Sequence, residues 1–129
     1  MEKKRKKILV VDDDENHLTT TRELLEDEGY DVVVHQNGFG ATSCICANQP
    51  DLVLLDINMP ALSGDNLAPL LLGNDCTKQV PIVFYSSNDE DSLRSSVAKH
   101  GVAGYICKGD MSELRKKVLR YLRSPKNAG

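Results

Sequence analysis

The apolar positions along the chain change their period in a regular way. "KILVV" (7–11) is a short run of strand-prone residues. "ENHLTTTRELLEDEG" then places Leu18, Thr21, Leu24 and Leu25 on one helical face, with Gly29 as its C-terminal stop. "YDVVVH" (30–35) returns to β-branched residues, and "NGFGATSCICANQ" comes next with small, weakly helical ones until Pro50. "DLVLL" (51–55) reads as a third strand. The stretch 64–74 reads as a helix with Leu67, Leu70 and Leu71 inward, where Pro69 is tolerable only near the first turn. "VPIVFYS" (80–86) predicts a fourth strand, and 90–101 a helix with Leu93 and Val97 at i, i+4. "AGYICK" (103–108) predicts a fifth strand. The last helix, 111–124, is capped by Asp110 or Ser112 and turns Leu114, Val118, Tyr121 and Leu122 inward. Strict strand–helix alternation repeated five times implies an α/β fold with a parallel sheet covered on both faces. The uninterrupted apolar strands agree, because such strands are buried on both sides.

Length and composition narrow this little further. At 129 residues the chain is expected to be one domain, 1–129, with its core at about 7–123 and a tail at 124–129. A composition of 40% hydrophobic and 27% charged residues argues against disordered and fibrous classes. No apolar run approaches the roughly 18 residues of a membrane span. The basic start leads into only a short apolar stretch before "DDDE", whereas a signal peptide needs about 7–15 apolar residues. A cytoplasmic location is therefore expected. The net charge of −3 is unevenly spread: "KKRKK" (3–7) and the last helix are basic, while acid gathers at 12–15, 26–28 and 89–91. Without interleaved aromatics or a DNA-reading motif, the basic ends read as solvated faces rather than a nucleic-acid surface. Cys44, Cys46, Cys76 and Cys107 have neither CxxC nor zinc-site spacing, so buried, reduced thiols are expected.

In open α/β sheets, ligands bind beyond the carboxyl ends of the strands. The residues just past each predicted strand are therefore informative. Asp12, Asp13 and Asp14 stand after the first, Asp56 after the third, Ser86 and Ser87 at the end of the fourth, and Lys108 at the end of the fifth. Converging carboxylates repel unless a cation intervenes, and an all-oxygen donor set suits Mg²⁺. Three carboxylates, Asp12, Asp13 and Asp56, balance Mg²⁺ and Lys108 in charge. Such a pocket can hold Asp56 ionised and nucleophilic toward a phosphoryl group. The metal and Lys108 would neutralise the transferring oxygens, and a hydroxyl such as Ser86 could bond the phosphoryl group on arrival.

"ILVVDDD", "DLVLLDINMP" with Gly64 four residues beyond Pro60, "PIVFYSS" and "GYICK" occur in order with family-like spacing. Over residues 7–123 the chain resembles a response-regulator receiver domain of the chemotaxis-regulator type, the phosphoacceptor of two-component signalling. The resemblance implies a flavodoxin-like (βα)5 fold with strand order 2-1-3-4-5. It implies that Asp56 is the phosphorylation site and that Mg²⁺, or Mn²⁺, is held by Asp13 directly, Asp12 through water, Asp56, and the backbone carbonyl of Asn58. Ser86, or Ser87 in a shifted register, matches the family hydroxyl. Lys108 matches its lysine and Tyr105 its aromatic switch. Asn58 and Asn88 sit where the family tunes dephosphorylation.

Implied partners are a histidine kinase or histidine phosphotransfer protein, a downstream output protein or domain, and a second copy through the fourth helix, fifth strand and fifth helix. The protein is then a signalling phosphoacceptor that catalyses only its own phosphorylation and dephosphorylation. Neither a membrane nor nucleic acid is an expected partner. In two places the chain departs from the family. Gly109 replaces the proline that usually comes after the lysine, often through a cis bond. A non-proline cis bond costs about 2.5–4 kcal/mol, so a trans bond or a looser turn that displaces Lys108 is expected. Ser replaces the commoner Thr at 86. The alternative to a phosphoacceptor is an inert pseudo-receiver that serves as an interaction module. A flavodoxin would need a phosphate loop where "DDDE" stands, and a dehalogenase-type phosphatase a second acid where Asn58 stands.

Overall fold

The computed structural model describes residues 5–60 and 62–123; the expected tail at 124–129 lies outside them. Five strands and five helices alternate: β1 (Lys7–Val11), α1 (Glu15–Asp27), β2 (Asp31–His35), α2 (Ala41–Asn48), β3 (Leu52–Leu55), α3 (Gly64–Leu72), β4 (Ile82–Ser86), α4 (Glu90–His100), β5 (Gly104–Cys107) and α5 (Met111–Arg123). The strands form one parallel sheet in the order β2-β1-β3-β4-β5. Strand order reverses beside β1, so the crevice between the ends of β1 and β3 is the expected ligand position.

Side-chain alternation divides the core in two. Leu9, Val11, Val53, Leu55, Ile82 and Phe84 pack with α2, α3 and α4 residues such as Ile45, Leu67 and Leu93. Ile8, Val10, Leu52, Leu54, Val83, Tyr85 and Ile106 pack with Leu18 and Leu25 of α1 and Leu114 and Val118 of α5. Both β3 and β4 are buried at every position, as continuous apolar strands between two helical layers must be. Helix starts obey local chemistry: Asp14 accepts from the Asn16 and His17 N–H groups, Ser63 from Asn66, Asp89 from Ser92, and Asp110 from Glu113. Among the described residues no helix is long and apolar enough to cross a membrane.

Three expectations need correction. Leu70 is 57% exposed, and Ala68 faces inward with Leu67 and Leu71 instead. At 3.6 residues per turn, Leu70 lies roughly 100° from the stripe of Gly64, Leu67, Ala68 and Leu71. Pro69 stands sixth in α3, past the first turn, and the helix ends three residues later at Leu72. The cysteines are not all reduced: Cys46 of α2 and Cys76 of the α3–β4 loop form a disulfide with Cα atoms 5.7 Å apart, while Cys44 and Cys107 are free and half-buried. Cys46 and Cys76 are 30 residues apart in sequence, and only packing brings them together.

Candidate functional site

The sheet register builds the site. Val11 lies opposite Leu55, so the next residues, Asp12 and Asp56, leave adjacent strand ends side by side. Their backbones continue the ladder: Asp56 N–H donates to the Val11 carbonyl (2.9 Å) and Asp12 N–H to the His35 carbonyl (3.1 Å). Gly64 packs directly on the Asp56 carbonyl oxygen, leaving no room for a Cβ, and its N–H donates to Ile57 O at 3.1 Å. That close approach folds the β3–α3 loop back and closes the turn after Asp56.

Asp12 is fully buried and Asp56 is 3% exposed, whereas Asp13 is open to solvent. Lys108 reaches both buried carboxylates, with Nζ 2.7 Å from Asp12 Oδ2 and 3.2 Å from Asp56 Oδ2. Two further donors complete the pair: Asp14 N–H to Asp12 Oδ1 (3.0 Å) and Asn58 N–H to Asp56 Oδ1 (3.1 Å). Burial pushes the Asp12 carboxyl up, but His17 and Lys108 outweigh it and hold Asp12 well below the usual range. For Asp56 burial wins over the attraction of Lys108, and with the Asp12 charge beside it the carboxyl is pushed up to about 6. Burial also works against the charged Lys108, yet the two carboxylates keep its pKa above the ordinary lysine value.

Oxygens of Asp12, Asp13 and Asp56 all lie within 4.8 Å of one another. Asp12 Oδ2 is buried and accepts no aligned hydrogen bond, although Lys108 Nζ and His17 Nδ1 are close. An unsatisfied buried carboxylate oxygen is costly, and a hard divalent cation is the natural partner for this oxygen set. The residues present therefore fit such an ion.

The other predicted residues divide into two groups. Ser86 is buried at the end of β4 and Ser87 is exposed. Ser86 Oγ accepts from Asn58 Nδ2 (3.1 Å) and from Asn88 N–H (3.2 Å), and Asn58 Nδ2 also donates to Asn88 Oδ1 (2.7 Å). Ser86, Asn58 and Asn88 thus form one polar cover across the β3 and β4 ends. Tyr105 is turned away from this cover. Its hydroxyl donates to Glu90 Oε1 (2.5 Å) and accepts from Arg94 Nε (3.2 Å), while Lys117 Nζ stands 4.0 Å from the ring centroid. The Tyr105 bond holds the Glu90 carboxyl below its ordinary pKa.

Gly109 does not displace Lys108. Among the described residues no peptide bond is cis, and the turn is made by Gly109 at φ +101°, in the left-handed region where glycine is unstrained. Lys108 N–H donates to Ser86 O at 2.9 Å, which anchors its backbone to the end of β4.

Two residues not singled out from sequence also stand here. His17 Nδ1 is 3.2 Å from Asp12 Oδ2, and its ring lies 5.2 Å from that of Tyr85. The signal for His17 was its place in the first turn after the acidic run, with Asp14 as cap. For Tyr85 there was none beyond its position before Ser86.

Comparison with known proteins agrees with this geometry. The family model "Response regulator receiver domain" matches residues 8–119. The polar-differentiation response regulator DivK of Brucella anthropi is 31% identical over 91 residues, covering 67% of this chain and 71% of DivK. The sensor histidine kinase TmoS of Ectopseudomonas mendocina is 31% identical over 90 residues, 69% of this chain but 9% of the kinase. Among solved structures, the receiver domain of a Pseudomonas aeruginosa sensor histidine kinase, with a magnesium ion coordinated in its active-site cleft, superposes with a TM-score of 0.82 at 23% identity, covering 93% of this chain and 99% of that one. With the strand order, the paired buried aspartates and the strand-end lysine already in place, the match over 8–119 identifies the chain as a member of the response-regulator receiver-domain family.

Proposed function

We propose that Asp56 accepts a phosphoryl group from a phosphohistidine on a histidine kinase or histidine phosphotransfer protein. The observation that carries this reading is the pair of buried carboxylates from adjacent strand ends, bridged by one lysine. An Asp56 carboxylate oxygen attacks phosphorus, the P–N bond breaks as the P–O bond forms, and the leaving imidazole is neutralised by a proton from solvent. Lys108 stands where it meets charge developing on the transferring oxygens, in a pocket dry enough for that charge to count. Asp12, Asp13, Asp56 and the Asn58 backbone carbonyl would hold Mg²⁺ or Mn²⁺, which would supply the remaining positive charge. Asn58 and Asn88, bonded to each other over Ser86, govern access of the hydrolytic water.

The output is a two-state shift. Ser86 Oγ exchanges its Asn58 and Asn88 donors for the phosphoryl group. Tyr105 then leaves Glu90 and Arg94 and turns inward, so the surface of α4, β5 and α5 changes shape for an output partner or a second copy. This receiver domain acts only on itself, and a cytoplasmic location suits that role. The deciding experiment is intact-mass spectrometry after incubation with phosphoramidate and Mg²⁺, alongside Asp56→Asn and an EDTA control. One phosphoryl adduct that needs both Asp56 and the metal is expected; an adduct that survives Asp56→Asn, or none on folded protein, overturns the reading.

A further inference from the structure

The acidic pocket has a wall that the phosphoacceptor reading does not use. Tyr85 is 1% exposed and projects from β4 toward α1 and α5, in the layer that also contains Val10, Leu54 and Ile106. The next inward positions of those three strands, counted by twos, are Asp12, Asp56 and Lys108. With Leu55 opposite Phe84 and Ile106 opposite Tyr85, Tyr85 stands level with Asp56 and one inward position behind Lys108. Its hydroxyl lies 3.4 Å from the Thr21 hydroxyl, a buried contact between β4 and α1. Lys108 Nζ is 5.7 Å from its ring centroid, on a face attractive to cations. The tilted His17 ring packs on Tyr85, with Nδ1 3.2 Å from Asp12 Oδ2 and 3.4 Å from Thr21 Oγ1.

This wall matters because the hydrogen bond from Lys108 N–H to Ser86 O anchors its backbone but not the direction of its long side chain. Gly109 has no neighbour within 4 Å of where a Cβ would sit and carries no ring to limit its backbone. The covalent chain alone does not fix where the Lys108 side chain points. Asp12 Oδ2 has two side-chain neighbours, Lys108 Nζ at 2.7 Å and His17 Nδ1 at 3.2 Å.

Building on the phosphoacceptor reading, we infer that His17 and Tyr85 are positioning residues: His17 orients the Asp12 carboxylate toward the divalent cation, and the Tyr85 ring holds Lys108 toward Asp56. Neither touches the reacting atoms. Their effects separate, because one acts on a metal-facing carboxylate and the other on the ammonium that meets the phosphoryl group. Partners of metal-facing groups typically contribute about 10–100-fold to metal affinity. With a His17 side chain 21% exposed, the lower end applies.

The test measures Mg²⁺ affinity by titration calorimetry, and phosphorylation by phosphoramidate as a function of Mg²⁺. His17→Ala is expected to weaken Mg²⁺ binding about tenfold and raise the half-saturating Mg²⁺ equally, with the saturated rate little changed. His17→Asn, which returns a donor near the Nδ1 position, recovers most of that loss. Tyr85→Leu lowers the saturated rate at least about tenfold, and Tyr85→Phe, which keeps the ring, recovers most of it. If Tyr85→Leu does not fold, the His17 pair and Tyr85→Phe still decide the matter. Wild-type affinity in His17→Ala, no rescue by His17→Asn, or a Tyr85→Phe saturated rate that is itself down about tenfold overturns the positioning roles. If the wild type takes up no phosphoryl group, the phosphoacceptor reading fails instead, and the calorimetry reports on the metal site alone.

Discussion

Replacing Asp56 by Asn should make the metal-free protein more stable at neutral pH, although it removes one partner of a buried ion pair. The folded Asp56 carboxyl titrates at about 6 against an ordinary 3.8, chiefly because burial opposes its charge. Its folded pKa is raised, so between pH 3.8 and 6 the native state binds more protons than the unfolded state. The associated stability is fully present below the unfolded value and is lost as pH rises through about 6. The difference of 6 − 3.8 units, at about 1.36 kcal/mol per unit, amounts to roughly 3 kcal/mol by pH 7.5 and only about 0.5 kcal/mol at pH 4. At 3% exposure, solvent screening offers little relief. The amide of the Asp56→Asn variant imitates the neutral carboxyl in shape and does not bear this cost. Asp12, whose pKa is lowered, contributes with the opposite sign, but it is present in both proteins and largely cancels in the comparison. Urea unfolding in EDTA should therefore show Asp56→Asn more stable by about 2–3 kcal/mol at pH 7.5, and the two proteins within about 1 kcal/mol at pH 4. Mg²⁺ should narrow the gap at pH 7.5, because it stabilises only a native state that binds it well. A variant less stable than wild type at pH 7.5, or an advantage independent of pH, would refute the assignment of Asp56 as a strained buried anion.

Lys108→Ala removes the cation between the two carboxylates, and phosphoramidate should label the variant about 10²–10³-fold more slowly at saturating Mg²⁺; a rate within twofold of wild type rules out the lysine's role. Gly64→Ala places a methyl against the Asp56 carbonyl, so a loss of about 2 kcal/mol or more is expected in urea melts, together with slower labelling. Thiol titration of unreduced, denatured protein should find two reactive cysteines, Cys44 and Cys107, and Cys46→Ser should cost about 3–4 kcal/mol for releasing a closed loop of 30 residues. Four reactive thiols in that titration would count against the bond.

How far the sequence goes is clearest at the strand ends. The apolar runs 8–11, 52–55 and 81–86 are buried, so burial alone makes them legible. Asp12, Asp56, Ser86 and Lys108 stand at the very ends of their strands, and a general rule of parallel sheets places such residues at one crevice. The Asp110 cap and the glycine stop at Gly29 were readable because their interactions span only a few residues. Short-range spacing says nothing about which strands are neighbours, and strand order here was implied only by resemblance to a family. The register that sets Asp12 beside Asp56 belongs to the folded sheet. The same holds for Tyr85 meeting Thr21 across 64 positions and for Cys46 meeting Cys76. Leu70 shows the limit inside a single helix, where a run of three leucines gives no inward direction until Gly64 and Ala68 seat against the sheet. Chain-local patterns determined the elements and the residue types at their ends. Packing over long separations decided which charges share Lys108, which ring stands near them and how deeply each is buried, because desolvation and Coulomb energies depend on distances in space rather than along the chain.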